Sequence, residues 1–190
     1  MSNPHSFGTS INRIAAPNPP DFSPDQRSVS DAISSGPRGE VVGPFGPLLH
    51  SPSLADRMQR TGEYLRFVSD LDRRVFEFTV LVVARHRDQA FEWAHHVPIA
   101  LDAGMPPEVI EAVAEGDKSA IGEPFAQVQT FATGLLEHEE IPDSLVSELI
   151  AMCGHAGVMD LVATVGYYST LAMVMEVAGT RAPAAGPFLP

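Results

Sequence analysis

Glu92-Trp93-Ala94-His95-His96, read with Glu77 upstream in Phe76-Glu77-Phe78-Thr79-Val80-Leu81-Val82-Val83, decides how this chain folds. A carboxylate and an imidazole four residues apart share one face of a helix, so Glu92 and His96 meet only if this block is helical. The surrounding pattern predicts that it is. A helix from about Gln89 to Ala103 closes at Gly104, a suitable residue past a helix C-terminus. Pro98 inside it removes the donor to the carbonyl of Ala94 and predicts a bend just after the histidines. The preceding helix is read from Asp70 as N-cap to His86, with Arg85-His86-Arg87-Asp88 as the turn. Its Val75, Phe76, Phe78 and Val80 to Val83 leave almost no polar face, which predicts burial nearly all round. The β-branched residues also suit a strand; length and the aspartate cap favour helix.

Working outward, a helix starts after Pro52 with Ser53 as N-cap and ends near Ser69. Leu54, Met58, Leu65 and Val68 mark its apolar side, and Arg57, Arg60 and Arg66 read as a solvated face. A short helix runs from Pro106-Pro107 to Gly116, another from Glu123 to Glu137, and a sixth from Pro142 or Asp143. Gly154 and Gly157 break the chain around His155, and a last helix runs from Val158 to Ala178. No strand pattern or repeat competes. The expected fold is an all-α bundle of about six to seven helices over residues 51–180. Residues 1–50 hold Pro17, Pro19, Pro20, Pro24, Pro37, Pro44 and Pro47 and show no period, so they read as extended or disordered. Within them 1–30 reads as a tail. Residues 38–50, through the apolar pieces Val41 to Phe45 and Leu48-Leu49, read as an arm over a neighbouring subunit. A proline-rich tail, 181–190, ends the chain.

The chain has 190 residues, 44% of them apolar, enough for one domain with a real core. Twelve basic against twenty-four acidic side chains give a net charge of -12. That speaks against nucleic acid or an anionic membrane as partner, since phosphate binding needs a basic face. It leaves room for a small anionic substrate held by local arginines. The single cysteine, Cys153, allows neither an internal disulfide nor a CxxC pair. No signal peptide is visible, and the uncharged run Leu161–Met175 is short for a membrane span. A cytoplasmic protein is expected. Apolar helices in such excess predict oligomerisation.

A carboxylate bonded to one ring nitrogen of His96 fixes its tautomer and leaves the other for a substrate, at a pKa suited to neutral pH. Glu77 lies between two phenylalanines, and a carboxyl desolvated there has a raised pKa and serves as a general acid. Two plainer readings stand beside these: Glu77 paired with Arg73, and Glu92–His96 as a helix-stabilising pair. His95 points roughly 100° away around the helix. Glu92 and His95 also form half of a di-iron Glu-x-x-His motif, but the chain offers no second such pair. A mononuclear site from Glu77, Glu92, His95 or His96 has nothing further behind it, so no metal is expected.

The stretches Glu77–Arg85, Phe91–Gly104 and Leu161–Tyr168 resemble the carboxymuconolactone decarboxylase family, over roughly residues 45 to 180. That family includes the alkylhydroperoxidase D-like proteins, so the resemblance implies their all-α fold and a homo-oligomer, whether dimer, trimer or hexamer. In the peroxidase branch a glutamate, a CxxC pair and a histidine form a relay. The resemblance places that glutamate at Glu77, the histidine at His96, and the two cysteines at Gln89 and Glu92. The relay is kept and the redox pair is missing, which points to the branch without CxxC. The implied activity is cofactor-free loss of CO₂ from a small cyclic or lactone carboxylic acid. His96 would transfer the proton, oriented by Glu92, with Glu77 as second acid/base. Arg85 or Arg60 would hold the anionic substrate, with His95 and Trp93 beside it. The alternatives are a hydratase, isomerase or ring-forming enzyme on the same relay, or a non-catalytic oligomeric binding protein.

Overall fold

The computed structural model describes residues 12–182 and 186–189. Among them the chain forms eight α-helices and no strand. In order these are α1 (Pro24–Ser35), α2 (Phe45–Leu48), α3 (Pro52–Glu63), α4 (Arg73–His86), α5 (Ala90–Asp102), α6 (Pro107–Glu115), α7 (Phe125–Glu137) and α8 (Asp143–Ala178). The all-α expectation holds, with more helices than the sequence suggested.

Helix α4 is the axis of the bundle. Residues Val75 to Ala84 are buried without a break, and α5, α7 and α8 pack around them. Its N-cap is Asp72, not Asp70: the Asp72 carboxylate accepts the backbone N–H groups of Arg74 and Val75. Four N–H groups at a helix start lack an intrahelical partner, and the aspartate nearer to them satisfies two. At α3 the start is likewise shifted. Pro52 occupies the first turn behind Ser51, and Ser53 lies inside the helix.

Beyond Glu63 the chain widens into a π turn, Tyr64–Val68, before ending at Ser69. The Ser69 and Tyr64 hydroxyls donate to the buried Asp160 carboxylate of α8, at 2.5 and 3.3 Å. This satisfies a charge deep in the packing and pins the irregular turn to the longest helix.

The N-terminal region departs from its expected extended state. Pro24 is the first residue of α1, and Ser23 and Gln26 form a reciprocal capping box. Proline there starts a helix instead of breaking one. Val29 and Ile33, one turn apart, are buried, and α1 packs on α3. Phe45, Leu48 and Leu49 also enter the common core. The segment 38–50, read as an arm over a neighbouring subunit, is thus packed against its own domain. The backbone N–H groups of Arg13 and Ile14 bond to the Ala178 carbonyl and close the end of α8. Of the tail expected over 1–30, residues 1–11 lie outside the described part, 12–23 hold one short 3-10 turn at Pro19–Asp21, and from Pro24 the chain is helical.

The break expected near Gly154 is present, with φ 71° and ψ 172°, but the helix resumes at once. The two helices expected on either side of Gly154 are thus present, meeting at this kink within the span Asp143–Ala178. The uncharged run Leu161–Met175 sits in a helix whose length and hydropathy are those of a membrane-crossing segment. Leu161, Val165, Tyr168, Leu171 and Met175 are nevertheless buried against the bundle, while Met159, Val162, Met173 and Val177 stay exposed.

Candidate active site

Helices α4 and α5 are joined by a turn so short that the middle of one faces the middle of the other. Gln89 caps α5 by accepting the Phe91 N–H, which sets the register of Glu92 and His96. Glu77 then meets His96: its Oε2 lies 2.7 Å from Nδ1. The second ring nitrogen, Nε2, faces Glu92 Oε2 at 3.4 Å. The far oxygen of Glu77 lies 2.7 Å from the Arg73 guanidinium, which also donates to the Arg66 carbonyl. The order is Arg73, Glu77, His96, Glu92, and all but Arg73 are buried.

The roles inferred from spacing are exchanged. Glu77, not Glu92, makes the short bond that orients His96. Nor is Glu77 a lone desolvated carboxyl, because Arg73 and His96 each hold one of its oxygens. The i,i+4 spacing brought Glu92 only to the other nitrogen, at a longer distance. Its Oε1 is buried with no partner. The tertiary contact won because α4 and α5 pack side by side.

Burial works against a charge on His96, but the carboxylates of Glu77 and Glu92 outweigh it and raise its pKa above the ordinary value of 6.5. The opposite holds next door. Burial, with the charges of His96 and Arg66, lowers His95 to about 4, so it is neutral where His96 is charged. His95 stacks on Phe91 with ring planes 13° apart. The Tyr168 ring meets His96 edge-on at 5.1 Å. Burial holds the Tyr168 hydroxyl well above its ordinary pKa, so it stays protonated.

Glu92, His95 and His96 form one wall of a pocket of about 290 Å³, mouth included. The N-terminal segment gives a second wall with Arg38, Val42, Pro44 and Phe45; Arg66, Phe91, Tyr168 and Leu171 complete the lining. Most of that is open mouth: the space a water-sized molecule can occupy is about 20 Å³, room for about one water, so a larger ligand enters only if side chains of the wall move. Glu77 stands behind His96. Trp93 is core, at 2% exposure, and does not line the pocket. Arg60 is exposed and paired with Asp56, and Arg85 ties α4 to α6 through the Ala114 carbonyl. Neither reaches the pocket, so the substrate-holding role expected of them does not fit their positions. Arg66, read as part of a solvated face, does line it, because the π turn rotates residue 66 off the regular helical face. Arg38 went unnoticed in a segment with no period, and Tyr168 stood only as part of the last helix.

Cys153 lies outside the pocket lining, and burial pushes its thiol above its ordinary pKa. No group of three or more His, Cys, Asp or Glu among the described residues is arranged to hold a metal.

Gly62 of α3 clears room beside this site. A Cβ there would stand 2.2 Å from the Tyr167 hydroxyl and 2.8 Å from an Arg38 nitrogen. Gly62→Ala gains about 1 kcal/mol of helix propensity. The buried Tyr167 ring has nowhere to swing, however, and overpacking costs roughly 1–3 kcal/mol. The variant should unfold at lower denaturant than the wild type; a gain in stability would show that the ring yields freely.

Residues 52–134 match the Carboxymuconolactone decarboxylase family. Two solved structures share the fold. One is an uncharacterized peroxidase-related protein from Ralstonia eutropha JMP134, described as an alkylhydroperoxidase AhpD core. It is 18% identical, with a TM-score of 0.75, covering 93% of this chain and 95% of that one. The other is an uncharacterized peroxidase-related protein from Silicibacter sp. TM1040. It is 14% identical, with a TM-score of 0.71, covering 93% of this chain and 96% of that one. No curated protein matches the chain. From α3 into α7, over residues 52–134, the chain is similar to the carboxymuconolactone decarboxylase family, and its fold is the all-α fold of the alkylhydroperoxidase D-like structures.

Proposed function

We propose that the chain is a cofactor-independent acid/base enzyme that removes CO₂ from a small cyclic or lactone carboxylic acid. The observation that carries this reading is the buried His96, clamped between two carboxylates at the wall of a pocket. Glu77 fixes the ring and, with Glu92, favours its protonated form against the burial that opposes it. Glu92 stands at the pocket with one oxygen unpartnered, so a proton on His96 Nε2 reaches the substrate through Glu92 or directly.

The reaction balances with these groups alone. The bond to the departing carboxylate breaks, its electron pair delocalises into the lactone carbonyl as a dienolate, and CO₂ leaves. The His96–Glu92 couple delivers one proton to carbon and regains it from water. Tyr168, protonated on the same wall, supplies a donor for the developing charge. The chain has one cysteine, so the thiol-pair chemistry of the peroxidase branch finds no partner residues.

The test is a mass-balance screen of lactone and cyclic carboxylic acids with the purified protein. CO₂ release coupled to product formation is expected for part of the panel. A gain of water or an isomer without CO₂ would replace the decarboxylase reading by a hydratase or isomerase on the same relay. No change across the panel would sink the enzyme reading for this class of substrate.

A further inference from the structure

We propose that Arg38 and Arg66 form a seat for a carboxylate of the ligand, and that Arg38 makes the N-terminal segment a specificity element of the pocket. This rests on the acid/base reading only for the choice of ligand.

The chain has twice as many acidic as basic side chains, yet most of its arginines have no carboxylate partner among the described residues; Arg38 and Arg66 differ from the rest in lining the pocket. Among the described residues Arg60, Arg73 and Arg74 each have one. Arg38 and Arg66 have none, although both line a pocket that also contains Glu92. The Arg66 Nε is buried with no hydrogen-bond partner, and a buried Arg38 Nη2 has only the Tyr167 hydroxyl beside it. A desolvated guanidinium nitrogen without an acceptor costs free energy that an incoming oxygen anion returns. Charge points the same way. In the pocket lining Arg38 and Arg66 stand against the single carboxylate of Glu92, an excess of arginine in an acidic protein.

The seat is also built. The Arg38 guanidinium lies 4.3 Å over the Phe45 ring, which fixes its plane. Gly62 leaves the space its head group needs. Gly43, at φ 57°, lets the segment turn beside Phe91, and a Cβ there would come within 2.4 Å of that ring. Phe45, Phe91 and Tyr168 give the pocket aromatic walls, so the ligand is a small flat or cyclic body carrying an anion. Pinning a carboxylate that must leave as CO₂ would stabilise the ground state over the transition state. The seated carboxylate is therefore one that the reaction retains.

The experiment measures binding by calorimetry, without turnover, using γ-butyrolactone γ-carboxylate and benzoate, each against its uncharged amide. The acids should bind wild-type protein and the amides much more weakly. Arg38→Gln and Arg66→Gln should each weaken the acids by about tenfold to a hundredfold and leave the amides unchanged, with thermal unfolding as the check on folding. Arg66→Lys, which keeps the charge and loses the fork, should fall between. Equal binding of acid and amide, no binding of either acid, or arginine variants with unchanged acid affinity would overturn the seat. Absence of CO₂ release leaves these readings untouched, so the two ideas fail separately.

Discussion

His96→Gln is expected to lower turnover on any substrate the enzyme accepts by a factor on the order of 10² to 10⁴, the contribution of a positioned acid/base. Glutamine keeps much of the volume and hydrogen-bonding capacity but cannot carry the proton. The same variant should change how stability depends on pH. The folded-state pKa of His96 is raised above 6.5, because its charged form is held by Glu77 and Glu92. A raised histidine contributes stability that is fully present below the unfolded value and is lost as pH rises through the folded one. His95 works in the other direction. Lowered to about 4, it is held neutral in the fold and takes up a proton more readily when unfolded, so stability falls as pH drops below 6.5. The wild-type melting temperature should thus peak near pH 6.5. His96→Gln should flatten the alkaline limb and His95→Gln the acid one. An unchanged alkaline limb in His96→Gln would show that His96 is not charged in the fold.

Glu77→Ala is expected to destabilise the fold by about 3 kcal/mol, the scale for breaking a buried ion pair from one side. Two cations then lose their partner. Arg73, 37% exposed, turns to water, but His96 is 2% exposed and has no such escape. It keeps only the longer contact to Glu92, so its pKa should drop, which NMR titration of the ring reads. Denaturant unfolding gives the stability. A loss under about 0.5 kcal/mol, the usual effect of a surface change, would mean that the Arg73–Glu77–His96 chain is not a stabilising network.

The positions of helices α4 to α7 were legible because their signals are local. The apolar run from Val75, the glycine at 104 and the apolar spacing of 125–135 each act within a few turns of backbone. Glu77 and His96 were legible as candidates because a carboxylate inside an apolar helix and an imidazole beside it are costly unless used. Caps shifted by a residue or two, since Asp70 and Asp72, or Ser51 and Ser53, present the same chemistry to a helix end. The first fifty residues misled for a related reason: proline marks both a break and a first turn, and only the Ser23–Gln26 box distinguishes them at Pro24.

The sequence by itself determined an all-α chain with one acid/base cluster on two consecutive helices, because helical period and desolvation are properties of neighbours along the chain. Which carboxylate orients His96, and which arginines face the pocket, only the tertiary structure decided. Spacing favoured Glu92 as the orienting group, yet packing of α4 on α5 gave the short bond to Glu77. Spacing offered Arg60 and Arg85, yet a π turn and a folded N-terminal segment brought Arg66 and Arg38 to the site. Contacts between elements 19 residues apart or more depend on how whole helices pack, and no local pattern encodes that.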